Sequence, residues 1–362
     1  MSCKRNPNSD FKISRKYFGH TKDVAKKAGV SFITVSRVVN NEGNVKEETR
    51  IKVENAIKEL GYFPSFSGKA LNSGKCNTIA VSTPINYDVN GRAEYLMRVL
   101  SGIDEVAKSL QCDVLLSNFD EDDTTYDYLR PFRQRKVDGI IYVGLKQMPQ
   151  IMLDELKTFR FPCVVIGDRL TESSLSWVDT DNFAAGYNST SQLIQKGHKD
   201  IVFFGLDKDV FNQNITHREQ GFLKAMKDFL GKDESQCKII KASYDFDSIS
   251  KSFEDFILEC KKNNSLPTAI FSATDERIPL MLRILYNNNI TVPDEISIVG
   301  FDGFLMNNPF LNFQIATNIQ PLKEMGQTAA KILFERINNP ELEPTSKIFT
   351  VPFFQGDSIK TL

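Results

Sequence analysis

The sequence is poor in the residues that metal sites and hydrolytic triads require. It contains three histidines and six cysteines, and the cysteines lie far apart, with no Cys-x-x-Cys pair and no histidine at ligand spacing beside them. The histidines also form no triad order with a serine or a cysteine. We therefore interpret the cysteines as reduced thiols, and we predict no metal site, no cofactor and no enzymatic activity.

Long apolar runs and phosphate-binding loops are missing as well. No segment approaches the roughly 20 consecutive apolar residues of a membrane span. Residues 1–19 are polar and basic, without the apolar stretch of a secretory signal. No glycine-rich loop follows a predicted strand, which argues against a nucleotide-dependent enzyme. We therefore expect a cytoplasmic protein with no membrane partner.

Charge is distributed unevenly along the chain, although the net charge is only −1. Residues 1–76 contain 15 lysines and arginines against 7 aspartates and glutamates, and the rest of the chain has a net charge of −9. A basic segment neutralises phosphates and releases counterions, whereas an acidic body stays off a polyanion. The sequence therefore predicts that the first 76 residues bind nucleic acid.

Three short helical patterns follow residues 1–19, which lack a hydrophobic period and are interpreted as a disordered basic arm. Apolar residues at helical spacing predict helices over residues 22–28, 31–39 and 48–60. Gly29 separates the first two and Gly61 ends the third, because glycine adopts a left-handed turn without strain. Ser31 is a suitable N-cap for the second helix. The short Gly-Val-Ser turn between compact helices predicts a helix-turn-helix head.

From residue 77 onward, apolar strands alternate with helical segments. The predicted strands are residues 78–82, 112–116, 139–143, 163–166, 201–204, 238–240, 268–271 and 297–299. The predicted helices are residues 93–110, 126–135, 150–159, 183–196, 218–229, 248–261 and 276–288. This repetition predicts parallel sheets with helices on both faces. Residues 168–179 are interpreted as a crossing between two subdomains, whose cleft is the expected small-molecule site.

Eight motifs, in order along the chain, resemble the LacI/GalR family of bacterial repressors. The motifs DVAKKAGVSFITVSRVVN, VKEETRIKVENAIKELGYFPS and GKAL resemble its head and hinge and occupy residues 23–40, 45–65 and 68–71. The motifs RKVDGIIYVG, VDTDNFAAGY, KGHKDIVFFG, HREQGF and DEISIVGFDG resemble its body and begin at residues 135, 178, 196, 217 and 294. The resemblance spans nearly everything after residue 20.

The resemblance implies an α/β fold: an N-terminal all-α helix-turn-helix head, then a periplasmic-binding-protein-like body of two doubly wound parallel-sheet subdomains. The head would occupy residues 20–63, the hinge helix and linker residues 64–76, and the body residues 77–362. The N-subdomain would comprise about 77–178 and 310–340, and the C-subdomain about 179–309 and 341–356. Residues 310–338 would return to the N-terminal half, and residues 347–354 to the C-terminal half.

The resemblance also implies a function. The protein would be a sequence-specific repressor that binds a palindromic operator as a homodimer near the nucleoid. A small carbohydrate, a sugar or a sugar phosphate, would control it from the cleft. Control by a protein corepressor is the alternative, and a solute-binding protein for transport is a third, against which the basic head argues.

The head residues Phe32 and Ile33 match the family's operator-discriminating pair. Neither side chain forms hydrogen bonds, so we predict apolar readout of thymine methyl groups; the alternative is that one of them packs into the head's core. Arg37 matches an arginine that contacts bases or phosphates. The other head residues assigned to the DNA interface are Ser31, Thr34, Ser36 and Asn40, the last three as contacts to the DNA backbone.

In the hinge, Ser65 is expected to cap a short helix and Leu71 to wedge into the minor groove. Gly68 and Lys69 stand where the family usually has alanine and arginine, and Lys69 is assigned to the DNA interface. At the start of the first helix the family's Thr cap is replaced by His20 followed by Thr21. Either Thr21 caps one residue late or the cap is weak.

In the body, carboxylates at strand ends and Arg218 at a predicted helix start are expected to face one cleft, where carboxylates and an arginine fork suit the paired hydroxyls of a sugar. Thr274 stands where sugar-responsive members often have asparagine. The single tryptophan either stacks on a pyranose ring or fills the core. The residues assigned to effector binding are Asp168, Trp177, Arg218, Thr274, Asp275 and Asp302.

Overall fold

The computed structural model divides the chain into two compact units, residues 1–76 and residues 77–362. The structure describes residues 20–40, 42–43, 45–62, 74–84, 92–119, 127–144, 150–167, 169, 175–207, 212–243, 245–306, 308–309 and 311–362.

Among its described residues, the first unit contains three helices, as predicted. They are α1 (Thr21–Ala28), α2 (Phe32–Val39) and α3 (Glu47–Leu60). Gly29 and Gly61 end α1 and α3 with φ of 67° and 56°, in the left-handed region that glycine adopts easily. Ser31 caps α2, since its hydroxyl accepts a hydrogen bond from the Thr34 N–H at 3.1 Å. A buried apolar cluster holds the helices together and comprises Val24, Ala25, Val35, Val38, Val53, Ala56 and Tyr62.

Of the two alternatives for the start of α1, the structure excludes the one in which Thr21 is the cap. His20 is the N-cap, and its backbone N–H donates to Asp23 Oδ2 at 2.8 Å. Thr21 is the first helical residue, and its hydroxyl lies 2.7 Å from the Tyr62 hydroxyl. This bond joins the beginning of the head to its last described residue.

The second unit contains two parallel sheets covered by helices. The strands are β1 (Thr78–Pro84), β2 (Asp113–Phe119), β3 (Gly139–Val143), β4 (Cys163–Ile166), β5 (Ser176–Thr180), β6 (Ile201–Leu206), β7 (Lys238–Ala242), β8 (Ala269–Ser272), β9 (Ser297–Asp302), β10 (Ala316–Ile319), β11 (Ser346–Phe349) and β12 (Phe353–Phe354). The helices are α4 (Arg92–Ser109), α5 (Arg130–Arg133), α6 (Gln150–Thr158), α7 (Asn182–Gln195), α8 (Gln213–Leu230), α9 (Phe246–Lys262), α10 (Ile278–Asn287) and α11 (Leu322–Asn338).

Each sheet forms one half of this unit. The N-half sheet has the order β11-β5-β4-β3-β1-β2, and the C-half sheet has the order β12-β10-β9-β8-β6-β7. All pairings are parallel except that of β10 with β12. Every residue of β3 and β9 is buried, as expected for central strands covered by helices on both faces. The two-subdomain α/β prediction is therefore confirmed.

Three segments belong to a different element or sheet from the one expected from the sequence. The crossing at residues 168–179 contains a strand, β5, that belongs to the N-half sheet. β10 pairs with β9 in the C-half, and only the helix α11 that follows it packs on the N-half. Residues 347–354 were expected in the C-half. β12 does pair with β10 there, but β11 pairs with β5 in the N-half. Its side chains are mostly exposed, so its hydrophobic pattern does not specify a sheet.

Two helix pairs pack backbone against backbone at glycines. In the N-half, a Cβ at Gly102 of α4 would collide with the carbonyl oxygen of Lys323 on α11, and a Cβ at Gly326 would collide with that of Val99. In the C-half, a Cβ at Gly186 of α7 would collide with the Arg218 carbonyl oxygen of α8. These helices therefore approach as closely as backbones permit.

In the described part of the chain, no helix is both long and apolar enough to cross a membrane.

We predict that Gly102→Ala destabilises the protein, because the added methyl group meets main-chain atoms that no side-chain rotation can move. The free energy of unfolding should fall by roughly 1 to 3 kcal/mol, measured by urea denaturation. The control is Ser101→Ala on the exposed face of the same helix, which should change it by less than about 0.5 kcal/mol. Equal effects of the two substitutions would contradict the close packing of α4 on α11.

Candidate functional sites in the head and the cleft

The first turn of α2 presents two large apolar side chains to solvent. Phe32 is 55% exposed and Ile33 is 62% exposed. The alternative that one of them packs into the head's core is therefore wrong for this structure. Arg37 is exposed in the last turn of α2, and it forms no ion pair with the described residues. All three side chains are accessible to a partner.

The polar residues of α2 bond to each other. The Thr34 hydroxyl lies 2.9 Å from the Ser31 hydroxyl, and Asn40 Nδ2 donates to Ser36 Oγ at 3.4 Å. These residues fix the helix start and its last turn, and their remaining acceptor and donor capacity is available to a DNA backbone. The hinge residues Ser65, Lys69 and Leu71, and Asp168 of the body, lie outside the described residues.

The cleft of the body is organised around Arg218, which is only 4% exposed. Its Nε donates to Asn182 Oδ1 at 2.9 Å and its Nη1 to the carbonyl oxygen of Ala273 at 2.7 Å. Nη1 also lies 3.7 Å from Asp302 Oδ1. The guanidinium lies over the Phe301 ring, 3.5 Å from its centre, which adds a cation–π contact. Arg218 and Asp302, both assigned to effector binding from the sequence, therefore lie together. The prediction that Arg218 opens a helix is wrong, because α8 begins at Gln213 and Arg218 is its sixth residue.

Asp302 connects this arginine to two of the three crossings between the sheets, those after β5 and β10. Its Oδ1 accepts a hydrogen bond from Gln320 Nε2 at 2.6 Å, and Gln320 Oε1 accepts one from the Thr180 hydroxyl at 3.1 Å. Thr180 ends β5 and Gln320 follows β10, so the chain of bonds joins the two crossing segments. Asp302 has φ of 118°, a strained value for a residue other than glycine. Burial raises the pKa of Asp302, and the charge of Arg218 opposes that rise.

A second buried carboxylate, Asp179, shares the partner Asn182 with Arg218. Its Oδ2 accepts from Arg169 Nε at 3.2 Å, and its Oδ1 accepts from Asn182 Nδ2 at 3.4 Å. Asp179 is 1% exposed. Burial raises the pKa of Asp179 to about 6, despite backbone hydrogen bonding at Thr180 and the positive charges of Arg169 and Arg218.

Asp275 is fully buried and accepts hydrogen bonds from the loop that follows β9. Its carboxylate accepts from the backbone N–H groups of Phe304 and Leu305 at 2.8 and 3.4 Å, and from the Thr317 hydroxyl at 3.0 Å. Burial and then the charge of Asp302 raise the pKa of Asp275. The structure thus shows Asp275 holding the segment after β9. The neighbouring Thr274 is 9% exposed, and its carbonyl oxygen accepts from the Ser272 hydroxyl at 2.7 Å.

Trp177 lies in the second position of β5 and is partly buried. It packs against an apolar cluster of the N-half that includes Leu156 of α6 and Val165 of β4. Of the two interpretations of this tryptophan, the structure supports the one in which it fills the core. The indole ring is therefore part of the hydrophobic core of the N-half.

The two halves also meet at the start of α8. Asn214 Nδ2 donates to the Gly167 carbonyl oxygen at 2.9 Å, and Gln213 Oε1 accepts from the Arg169 N–H at 3.3 Å. Asn214 Oδ1 and His217 Nδ1 are buried and have no hydrogen-bond partner within the part of the chain that the structure describes. Tyr95 and Asn214 both lie close to Gly167. A Cβ added at that glycine would be 3.0 Å from the Tyr95 hydroxyl and 3.7 Å from Asn214 Nδ2.

The sequence argument missed Asp179, Thr180, Asn182, Gln320 and Asn214. Asp179 and Thr180 are the last residues of β5 and Asn182 begins α7, at the end of the polar run that was interpreted only as a crossing. Gln320 follows the strand β10, and Asn214 lies in the first turn of α8. Their roles depend on partners far away in the chain, and no local pattern predicts those.

Two family models match the chain. Residues 21–65 match the bacterial regulatory proteins of the lacI family, and residues 190–359 match a periplasmic binding protein-like domain. The first match covers the three helices of the head, and the second covers most of the C-half with its returning segments.

Known proteins of similar length share the same organisation. The chain is 32% identical over 339 residues to the HTH-type transcriptional regulator RegA of Clostridium saccharobutylicum, covering 93% of this chain and 98% of RegA. A LacI family transcriptional regulator from Enterococcus faecium with bound ribose is 25% identical, with a TM-score of 0.66, over 79% of this chain and 99% of that one. The Lac repressor dimer bound to operator and the anti-inducer ONPF has a TM-score of 0.78 at 19% identity, over 95% and 99%. That last likeness shows the shared fold.

Asp179→Asn should remove a pH dependence of stability. Folding raises the pKa of Asp179 to about 6, from an ordinary value near about 4, so the folded protein holds a proton that the unfolded chain has released. The stability from Asp179 is therefore complete below about pH 4 and is lost as pH rises through about 6. The free energy of unfolding of the wild type, minus that of the variant, should fall by roughly 3 kcal/mol from pH 4 to pH 7, measured by urea unfolding.

The control is Asp255→Asn, which removes an exposed carboxylate and should leave that difference nearly flat. A difference that grows with pH for Asp179→Asn would show that the ion pair with Arg169 outweighs burial.

Proposed function

Since the chain belongs to the LacI family of bacterial regulatory proteins and is a DNA-binding transcriptional regulator, we propose that it represses transcription under the control of a small carbohydrate. The observation that carries this proposal is the buried Arg218–Asp302 pair between the two sheets. A planar guanidinium beside carboxylates suits the adjacent hydroxyls of a sugar ring. The relative from Enterococcus faecium, which has bound ribose, supports the same class of ligand.

The head supplies operator recognition in this proposal. Phe32 and Ile33 are exposed at the start of the second helix of a helix-turn-helix, the part that meets base edges in the major groove. Arg37 lies further along the same helix and contacts a base or a phosphate. Because one such head contacts only a half-site, a homodimer binds a palindromic operator.

The residues before and after the head have supporting roles. The basic arm of residues 1–19 adds affinity for phosphates without specificity. Ser65 caps the hinge, Lys69 contacts the DNA backbone, and Leu71 wedges into the minor groove and bends the duplex. The protein acts in the cytoplasm on chromosomal DNA and catalyses no reaction.

Control follows from unequal binding of the carbohydrate to two arrangements of the halves. A ligand held by Arg218 and Asp302 competes for the bond that Gln320 makes with Asp302. That bond joins the two crossings, so the ligand changes the balance between arrangements. By linkage, operator binding changes carbohydrate affinity by the same factor.

We expect one of D-ribose, D-glucose and D-cellobiose to change the operator affinity of the full-length protein at least about fivefold. The measurement is fluorescence anisotropy with an operator selected from random duplexes. Arg218→Met should abolish the response, whereas Arg283→Met, a change at an exposed arginine of α10, should preserve it. If operator affinity responds to a protein corepressor and to no carbohydrate, the alternative mode of control is correct.

Phe32 and Ile33 are apolar, so in this proposal they recognise the methyl groups of operator thymines. Replacing the operator thymines by uracil should weaken wild-type binding roughly threefold to fivefold per contacted methyl group, because each buried methyl contributes about 0.8 kcal/mol. The double variant Phe32→Ala, Ile33→Ala should lose this sensitivity in the same anisotropy assay. Ile51→Ala on α3, where the isoleucine is 49% exposed, is the control that should retain it. If the double variant loses as much affinity on uracil substitution as the wild type does, Phe32 and Ile33 do not read the bases.

A further inference from the structure

A side-chain hydrogen bond closes the head at the point where the chain leaves it. The hydroxyl groups of Thr21 and Tyr62 lie 2.7 Å apart, although the two residues are 41 positions apart in the chain. Thr21 is the first residue of α1, and Tyr62 follows Gly61, which ends α3. From Tyr62 the chain continues through residues 63–73 towards the body. The bond therefore ties the start of the first helix to the residue at which the chain leaves the head.

Tyr62 is held in two further ways. Its backbone N–H donates to the Ile57 carbonyl oxygen at 3.0 Å, which closes the turn that follows α3. Its ring belongs to the apolar cluster of the head, and the residue is only 8% exposed. Main chain, ring and hydroxyl are thus each attached to the head, so Tyr62 cannot tilt without breaking one of these contacts.

Of these three contacts, the hydroxyl bond is the one that restrains the far end of the side chain. The turn after α3 fixes the main chain of Tyr62, and burial of the ring in an apolar cluster is non-directional. A hydrogen bond is directional and weakens steeply when it is bent. Loss of the Thr21 hydroxyl therefore gives Tyr62, and the chain that follows it, freedom to rotate.

The direction in which the chain leaves the head matters for an operator with two half-sites. Each head contacts one half-site, and the symmetry of the dimer relates the two heads. One base pair added between the half-sites separates them by about 3.4 Å and rotates one against the other by roughly a tenth of a turn. A head that is held rigidly where its chain leaves it tolerates such a change less than a head that pivots there.

We infer that Thr21 is a positioning residue for operator binding: its bond to Tyr62 fixes the direction in which the chain leaves the head, and so restricts the half-site spacing that the dimer accepts. This inference rests on the proposed binding of a palindromic operator by a homodimer. It gives Thr21 no contact with DNA.

The test compares operators that differ only in spacing. Fluorescence anisotropy measures the affinity of the full-length protein for the selected operator and for duplexes with one base pair added or removed between the half-sites. Thr21→Val, which keeps the branched shape without a hydroxyl, should lower the preference for the selected spacing about threefold or more, the scale of one hydrogen bond between uncharged groups. Tyr62→Phe should lower it equally, and the double variant should lower it no further. The control is Thr21→Ser, which keeps a hydroxyl and should preserve the wild-type preference.

A loss of stability alone gives a different result. A head that is merely less stable binds all spacings more weakly by the same factor, so an unchanged preference in Thr21→Val and Tyr62→Phe overturns the inference. If Tyr62→Phe has the larger effect and the two effects add in the double variant, the tyrosine hydroxyl acts without Thr21, and the inference is again wrong. If the wild type itself binds all spacings equally, the proposal of a palindromic operator fails, and this inference fails with it.

Discussion

The structure of the body depends on a buried positive charge. A guanidinium as deeply buried as that of Arg218 is tolerated only when its donors are occupied and its charge is compensated. The protein meets both conditions with groups from separate segments: the start of α7 supplies Asn182, the end of β8 leads to Ala273, and β9 supplies Phe301 and Asp302. Folding of the C-half therefore brings these segments to one point, and that point is the proposed effector site.

The same charge links ligand binding to the geometry of the two halves. Asp302 is shared between Arg218 and Gln320, and Gln320 is shared between Asp302 and Thr180. A hydroxyl that enters this network competes for acceptors that already stabilise the crossings. The proposed effector site and the crossings after β5 and β10 are therefore parts of one hydrogen-bonded system.

Much of the fold could be predicted because it follows from local pattern. The buried runs of β3, β4, β6 and β9 and the helices between them have lengths and periods that permit little else, and Gly29, Ser31 and Gly61 mark the helices of the head. β5 and β11 were harder, since one lies in a polar run and the other is mostly exposed at a sheet edge. In the site, Asp302 was found from its position at the end of β9, and Arg218 from a predicted helix start, although α8 begins earlier, at Gln213. Gln320 was not, because its partner Thr180 lies 140 residues away, and Trp177 shows that residue type alone does not decide between core and ligand site.

The glycine contacts between helices determine where the body can bend. Because Gly102 and Gly326 bring α4 and α11 into main-chain contact, and Gly186 and Gly221 do the same for α7 and α8, neither pair can slide without collision. Each half is thus a stiff block, and any rotation of one block against the other must be absorbed by the few residues after β5, after β10 and between β11 and β12. Those short connections, together with the polar network that ties two of them, form the pivot of the molecule, and substitutions there should alter its response more than its fold.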